Sequence, residues 1–169
     1  VNALLKTIEE PSISNYFILI NNKSKSMLDT LKSRTIELNI FLNNNLRVKI
    51  IEKLISNFNI NDLIDYRDSP ISPGNFARFN DIVLSQEIDL NENIIVNIKK
   101  LFKNYKLKKN VDSLQLSYFL INQFYYKKSN LSNIDELNKK RSTVIKMIND
   151  SFKFNLNQSN LILELERNI

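Results

Sequence analysis

Apolar residues follow different patterns in the first and the later parts of the chain. Tyr16–Ile20 is a continuous apolar run rich in aromatic and β-branched residues, which predicts a buried strand. Thr35–Ile40 alternates apolar with polar residues and predicts a half-exposed strand. An amphipathic segment, Lys25–Lys32, joins the two, and Val1–Glu10 predicts a helix ahead of them. Because two strands alone are marginally stable, we expect the end of an α/β sheet domain, in a chain that is a fragment of a longer protein.

From Phe41 onward apolar residues recur at helical spacing, and no further strand is predicted. Three short helices come first, at Asn43–Phe58, Asn61–Tyr66 and Asn75–Gln86. Four more helices are predicted at Asn93–Asn104, Asp112–Lys128, Ile134–Phe154 and Gln158–Arg167. Asn43 or Asn44 is expected to cap the first helix of the series, and Ser113 to cap the helix that begins near Asp112. The chain is therefore predicted to be mainly α-helical after a small α/β remnant.

Several residue types that common catalytic sites need are missing from the sequence. The chain has no histidine and no cysteine, which excludes a Ser-His-Asp or Cys-His mechanism, a disulfide framework and a thiolate metal site within it. Gly74 is the only glycine, so no phosphate-binding loop of the GxxxxGK or GxGxxG type is present. Any nucleotide chemistry therefore has to be completed by another chain or by residues outside this sequence.

The sequence is basic, with a formal net charge of +6 and a pI of about 9.4. A basic chain is suited to contact with a polyanion such as DNA, but the overall charge favours the simpler interpretation that lysines are spread over solvated faces. The densest basic cluster, which has Phe102 and Tyr105 among its lysines, consists of Lys99, Lys100, Lys103, Lys106, Lys108 and Lys109. No apolar run is long enough to span a membrane and no signal peptide opens the chain, so a cytoplasmic protein is expected.

Each of three local motifs has both a functional and a purely structural interpretation. Arg34 directly precedes an apolar strand-like run, where an arginine can reach a phosphate on a neighbouring subunit or simply pair with Glu9 or Glu10. Asn21 and Asn22 follow the first predicted strand and suit either a polar site at a strand tip or a turn. A third motif, Ser72-Pro73-Gly74, precedes a predicted helix and serves either as an anion-binding helix start or as a helix start alone.

Taken in order along the chain, these segments closely resemble the clamp-loader branch of the AAA+ ATPases. The residues that carry the resemblance are NALLKTIEEP at Asn2–Pro11, YFILI with its polar tip, MLDTLKSR at Met27–Arg34, and SPG at Ser72–Gly74. Within this branch the chain looks most like the delta-prime subunits of bacterial DNA polymerase III, with the tau/gamma subunits second. The helices after SPG match only in being helical and of suitable length for the collar domain through which the family oligomerises.

The resemblance implies roles for residues near the start of the chain. Arg34 falls on the family's arginine finger, which acts on ATP bound by the neighbouring subunit, and Ser33 falls on the serine before it. Asn21 and Asn22 fall at the strand tip that carries sensor 1, and either of them is the equivalent residue. Thr35 replaces the family's usual cysteine, a change that we expect to have little effect on the arginine.

The resemblance also implies a sensor 2 region, which departs from the pattern of the ATP-binding members. Asn75 follows SPG where those members have an arginine, and Arg78 lies one helical turn later. This departure favours delta-prime, which resembles a stator that completes its neighbour's site without hydrolysing ATP. The chain itself is then expected to hold no complete active site, although it belongs to a polymerase holoenzyme, a nucleotidyltransferase complex.

Three domains are expected from the resemblance. Residues 1–40 form the end of the AAA+ core, 41–91 a three-helix lid and 92–169 a helical collar. ATP with its magnesium ion is expected on a partner subunit. The expected partners are the tau/gamma and delta subunits, with the sliding clamp and primed DNA reached through the assembly.

Two alternatives remain open at this point. One is an ATP-hydrolysing tau/gamma-type subunit, which an intact GxxxxGK[ST] motif upstream of Val1 would favour. The other is a basic helical module that binds duplex DNA with a steep salt dependence and has no link to an ATPase.

Overall fold

A computed structural model of the chain describes residue 8 and residues 14–21, 26–129 and 134–169. These residues contain no strand and form seven α-helices: α1 (Asp29–Lys32), α2 (Asn44–Phe58), α3 (Pro73–Ser85), α4 (Ile94–Lys108), α5 (Val111–Ser129), α6 (Ile134–Lys153) and α7 (Gln158–Asn168). The prediction of a mainly helical protein is therefore confirmed. The chain divides into two compact units, Val1–Leu42 and Asn43–Ile169, here called unit 1 and unit 2.

The two strands predicted in unit 1 are not formed. Tyr16–Ile20 and Thr35–Ile40 have no regular secondary structure, and neither is paired with a strand among the described residues. Apolar sequence alone does not make a strand, because a strand is stabilised by backbone hydrogen bonds to a neighbouring strand. The side chains are correspondingly open to solvent: Tyr16 is 92% exposed and Ile20 is 94% exposed.

The helical predictions for unit 1 are met only in part. Within the predicted amphipathic segment Lys25–Lys32, the helix α1 covers the last four residues, and Lys25 lies outside the described residues. Most of the predicted helix Val1–Glu10 also lies outside them, and Ile8 is helical. Asp29 in the first turn and Lys32 in the last turn suit the helix dipole, and their side chains lie 3.5 Å apart.

Unit 2 begins with α2 and α3, whose starts follow the rules for helix capping. The Asn43 side chain accepts a hydrogen bond from the backbone N–H of Leu46 at 2.8 Å, which confirms one of the two predicted caps. Ser72 accepts one from the N–H of Asn75 at 3.3 Å, and Pro73 occupies the first helical position. Both helices contribute to a first hydrophobic core, whose buried members are Ile51, Ile64, Tyr66, Ile71, Phe76, Phe79, Ile82, Val83, Ile88, Leu101 and Leu116.

The helix predicted at Asn61–Tyr66 is absent, because a buried asparagine takes up the backbone groups of this segment. The Oδ1 atom of Asn80 accepts hydrogen bonds from the N–H groups of Leu63 at 2.9 Å and Ile64 at 3.2 Å. Its Nδ2 atom donates to the carbonyl of Phe76 at 2.8 Å. The segment therefore packs as an ordered loop, and residues 41–91 contain two helices where three were predicted.

The four helices predicted in the last part of the chain are present as α4 to α7. In the described structure α4 contacts α5, α5 contacts α6, α6 contacts α7, and α7 contacts α4. Their apolar faces enclose a second core, whose buried members are Ile95, Ile98, Phe102, Ile121, Tyr125, Val144, Ile148, Leu161 and Leu165. The observed bounds differ from the predicted ones by at most a few residues, except that α4 runs on to Lys108.

Two helices of unit 2 take part in both cores. On α4, Leu101 lies in the first core while Phe102 lies in the second, and α5 gives Leu116 to the first and Ile121 to the second. The predicted boundary between residues 91 and 92 thus lies inside one compact unit. The assignment of residues 1–40, 41–91 and 92–169 to three functional domains stays a prediction.

Candidate functional site

The end of α1 fixes the position of Arg34. Ser33 follows the helix in a helical conformation, and the backbone N–H of Arg34 donates to the carbonyl of Leu31 at 3.1 Å. The Nη1 atom of Arg34 donates to the carbonyl of Thr30 at 2.8 Å and to the Oγ atom of Ser33 at 3.2 Å. The guanidinium is therefore held against the C-terminal carbonyls of the helix, where a positive charge is favourable.

Ser33 bonds to the same backbone carbonyl as Arg34. Its hydroxyl donates to the carbonyl of Thr30 at 3.2 Å, so Ser33 and Arg34 share one acceptor. The hydroxyl of Thr35 donates to the carbonyl of Leu31 at 3.0 Å. Three consecutive side chains thus bond back to the last turn of α1, and the Ser33 and Arg34 bonds lie on the exposed surface.

An exposed arginine of this kind can bind an anion presented by another molecule. The guanidinium carries a permanent charge and a planar set of N–H donors that match phosphate and carboxylate oxygens. Glu9 and Glu10, the alternative partners considered from the sequence, lie outside the described residues. The role of Arg34 towards a nucleotide stays a prediction.

The two candidate sensor 1 residues fall at the edge of the described structure. Asn21 is exposed and ends the described segment 14–21, whereas Asn22 lies outside the described residues. The assignment of either residue to a nucleotide site stays a prediction.

The structure brings the two candidate sensor 2 residues together in unit 2. The Oδ1 atom of Asn75 accepts a hydrogen bond from Nη2 of Arg78 at 2.6 Å. The Nε atom of Arg78 lies 3.6 Å from Oδ1 of Asp112, in the first turn of α5. Arg78 therefore links the start of α3 to the start of α5 through an exposed ion pair.

Arg47 supports the loop that leads into the Ser72-Pro73-Gly74 motif, and the sequence did not identify it. It is only 7% exposed, and Nη1 donates to the carbonyl of Ile71 at 3.1 Å while Nη2 donates to Asn44 Oδ1 at 2.6 Å. A second bond from Nη2 reaches the carbonyl of Arg67 at 3.5 Å. Arg47 thus ties α2 to the loop that leads into Ser72. An arginine in a helix is normally expected at the surface, so no local sequence signal could have identified it.

Metal and membrane sites find no support in the part of the chain that the structure describes. No group of three or more acidic side chains there is arranged to hold a metal ion. None of its helices combines the length and the apolar character that crossing a bilayer requires.

Residues 1–44 match the protein-family model described as DNA polymerase III, delta subunit. The matched segment contains Asn21, α1 and the Ser33-Arg34 pair, and it ends where α2 begins. No curated protein and no solved structure matches the chain. The match supports a role in DNA replication as part of the DNA polymerase III machinery. Within that machinery it supports a subunit of the clamp-loader type.

Proposed function

We propose that the chain is part of a delta-prime-type clamp-loader subunit and that Arg34 acts on ATP bound by a neighbouring tau/gamma-type subunit. The observation that carries this proposal is the geometry of Ser33-Arg34 within the matched segment. The arginine lies on the surface immediately after α1, and its Nη1 atom is fixed by the Thr30 carbonyl. Such a side chain is anchored in its own subunit and is presented to the next one.

The proposed chemistry is stabilisation of phosphoryl transfer to water. Water attacks the γ-phosphorus of ATP and the bond to the β,γ-bridging oxygen breaks, while negative charge builds on the phosphoryl oxygens. Arg34 donates to those oxygens in trans and neutralises part of that charge. Ser33 is a positioning residue, because it accepts from Nη1 and fixes the direction of the guanidinium. The ATP and its magnesium ion are bound by the neighbouring subunit. Asn21 or Asn22 occupies the sensor 1 position of this subunit's own core.

The sensor 2 region supports delta-prime over the tau/gamma alternative. Asn75 cannot supply the positive charge of the family's arginine, and its Oδ1 atom accepts from Arg78. Arg78 in turn is engaged by Asp112. In the proposed role, the subunit completes its neighbour's site without hydrolysing ATP itself, and it couples hydrolysis there to release of the sliding clamp on primed DNA.

The test is Arg34→Ala in the full-length protein, assembled with its tau/gamma and delta partners. We expect ATP hydrolysis at the dependent site to fall by about 10³-fold or more, as for other arginine fingers supplied in trans. Arg34→Lys should recover only part of the rate, because lysine keeps the charge but loses the planar fork of donors. Lys32→Ala is the matched control, since Lys32 is an exposed cation on the same helix that pairs with Asp29.

Two results contradict the proposal at different levels. An intact assembly with unchanged ATPase activity would show that Arg34 is not the finger. Failure of the wild-type chain to assemble with tau/gamma and delta subunits would reject the clamp-loader assignment itself.

A further inference from the structure

The lysines of α4 fall into two groups that the sequence alone could not separate. Near the start of the helix, Nζ of Lys99 lies 2.9 Å from Glu166, and Nζ of Lys100 lies 3.4 Å from Glu92. The remaining lysines have no ion pair among the described residues. They are exposed, as is Lys109, which directly follows the helix. Three of these lysines follow i, i+3 spacing on one face, and with the last residue of α6 they form what we call the α4 basic surface: Lys103, Lys106, Lys109 and Lys153. Lys108 lies on a different face of the helix.

Aromatic contacts bring the end of α6 to this part of α4. The ring of Phe152 lies 5.0 Å from that of Phe102 and 4.9 Å from that of Tyr105, both edge-on. Lys153 and Phe154 follow directly. The side chain of Phe154 is 61% exposed, and Nζ of Lys153 lies 5.2 Å from the centre of its ring.

A cavity extends the surface towards α7. Lys103 lines it from α4, and Gln158 and Ser159 line it from the first turn of α7. This cavity has a volume of about 620 Å³ and an apolar floor that includes Phe102 and Ile162. Phe102 joins the two parts of this region, because it lines the cavity and also packs against Phe152 at the end of α6.

We propose that the α4 basic surface binds single-stranded nucleic acid. The segment 94–109 contains no acidic residue, and the carboxylate that lines the neighbouring cavity, Glu166, is paired with Lys99. The unpaired lysines therefore offer positive charge to phosphates. The exposed ring of Phe154 provides a face on which an unpaired base can stack. A duplex keeps its bases stacked inside, so the aromatic favours a single strand. The proposal goes beyond the role of Arg34 and does not rest on it.

An alternative role for these lysines is purely structural. Lys106 and Lys108 lie in the last turn of α4, where positive charge stabilises the helix dipole. That role predicts an effect on thermal stability and none on binding to an oligonucleotide. The two roles are therefore separated by measuring both quantities on the same variants.

The first experiment compares two charge-matched variants of the full chain by fluorescence anisotropy with a labelled oligothymidylate. Lys103→Gln with Lys106→Gln removes two cations from the proposed surface. Lys49→Gln with Lys53→Gln removes two exposed cations from α2 and serves as the control. Each phosphate contact contributes about −0.7 to the slope of the logarithm of the binding constant against the logarithm of the salt concentration. Loss of two contacts should therefore make this slope shallower by about 1.4 and weaken binding roughly twentyfold at about 0.1 M salt. The control should bind like the wild type.

The second experiment tests the aromatic contact with Phe154→Leu, which keeps an apolar side chain but removes the ring. Binding to the oligothymidylate should weaken by about fivefold or more, whereas binding to a duplex should not change.

Four results would overturn the proposal. The first is that the wild type does not bind the oligothymidylate, and the second is that the two lysine variants weaken binding equally. The third is that Phe154→Leu affects binding to single strand and duplex equally. The fourth is that the protein binds anionic phospholipid vesicles in place of the oligothymidylate. The last result would assign the surface to a membrane.

Discussion

At the scale of single residues, two buried polar side chains organise the loop between α2 and α3. Asn80 is 2% exposed and bonds the backbone of Leu63, Ile64 and Phe76. Arg47 holds the other end of the loop through the carbonyls of Ile71 and Arg67. Both satisfy backbone groups that would otherwise be buried without partners, which is why a loop without helix or strand can lie against a hydrophobic core.

Asn80→Ala should lower the free energy of unfolding by about 2–4 kcal/mol, because it removes the side-chain acceptor of two N–H groups, the buried one of Ile64 and the part-buried one of Leu63. Urea denaturation of the full chain measures this change. Asn57→Ala, at an exposed position of α2, is the control and should change stability by less than about 0.5 kcal/mol. Equal stability of the two variants would show that the loop does not depend on Asn80.

Neither residue could be singled out from the sequence, because the partners of Asn80 lie up to 17 positions away and those of Arg47 up to 24. The same limit affected Ser113, which was expected to cap a helix. It is fully buried and accepts a hydrogen bond from Nδ2 of Asn104, while Asn110 accepts from the N–H of Asp112 at the helix start. The local sequence indicated a polar side chain near the start of α5, but the packing of Ser113 against Asn104 leaves Asn110 as the capping residue.

At the scale of elements, the long helices were predictable, whereas the two strands and the short helix at Asn61–Tyr66 were not. A helix closes its hydrogen bonds within its own segment, so the spacing of apolar residues identified α2 and α3 closely and α4 to α7 within a few positions. A strand depends on a partner elsewhere in the chain, and the runs at Tyr16–Ile20 and Thr35–Ile40 have none among the described residues. For the candidate site, the sequence indicated Arg34 and Asn75, and only the structure gave their hydrogen-bond partners.

Ser72→Ala should destabilise unit 2 by about 1 kcal/mol, because the Ser72 hydroxyl is the acceptor for the N–H of Asn75 at the start of α3. Ser72→Asp should retain most of the stability, since aspartate caps well and suits the positive end of the helix dipole. Thermal unfolding followed by circular dichroism measures both. Ser85→Ala, at the other end of α3, is the control, and an equal loss there would contradict a capping role for Ser72.

At the scale of the whole molecule, unit 2 is built around two helices that serve both cores. Leu101 and Leu116 lie in the first core, and Phe102 and Ile121 lie in the second. The Arg78–Asp112 ion pair adds a polar link between α3 and α5. Because the cores share backbone elements, we expect α2 to α7 to unfold together.

Leu116→Ala should lower the stability of the whole of unit 2 by about 3 kcal/mol, because the side chain is fully buried and its loss leaves a cavity. Hydrogen exchange should show amides in α2 and in α6 losing protection by the same factor. Leu107→Ala removes a side chain that is 74% exposed and should have little effect. Loss of protection confined to α2 and α3 would mean that the two cores unfold separately.

The uncovered apolar side chains of unit 1 have a consequence for the life of the protein in a cell. Ile18 and Ile36 are each about 90% exposed, as are several of their neighbours. Chaperones and quality-control proteases act on chains that expose such surface, so a copy that stays uncovered is removed faster than one that is covered. We therefore expect the abundance of this chain to rise when a partner that covers these side chains is supplied.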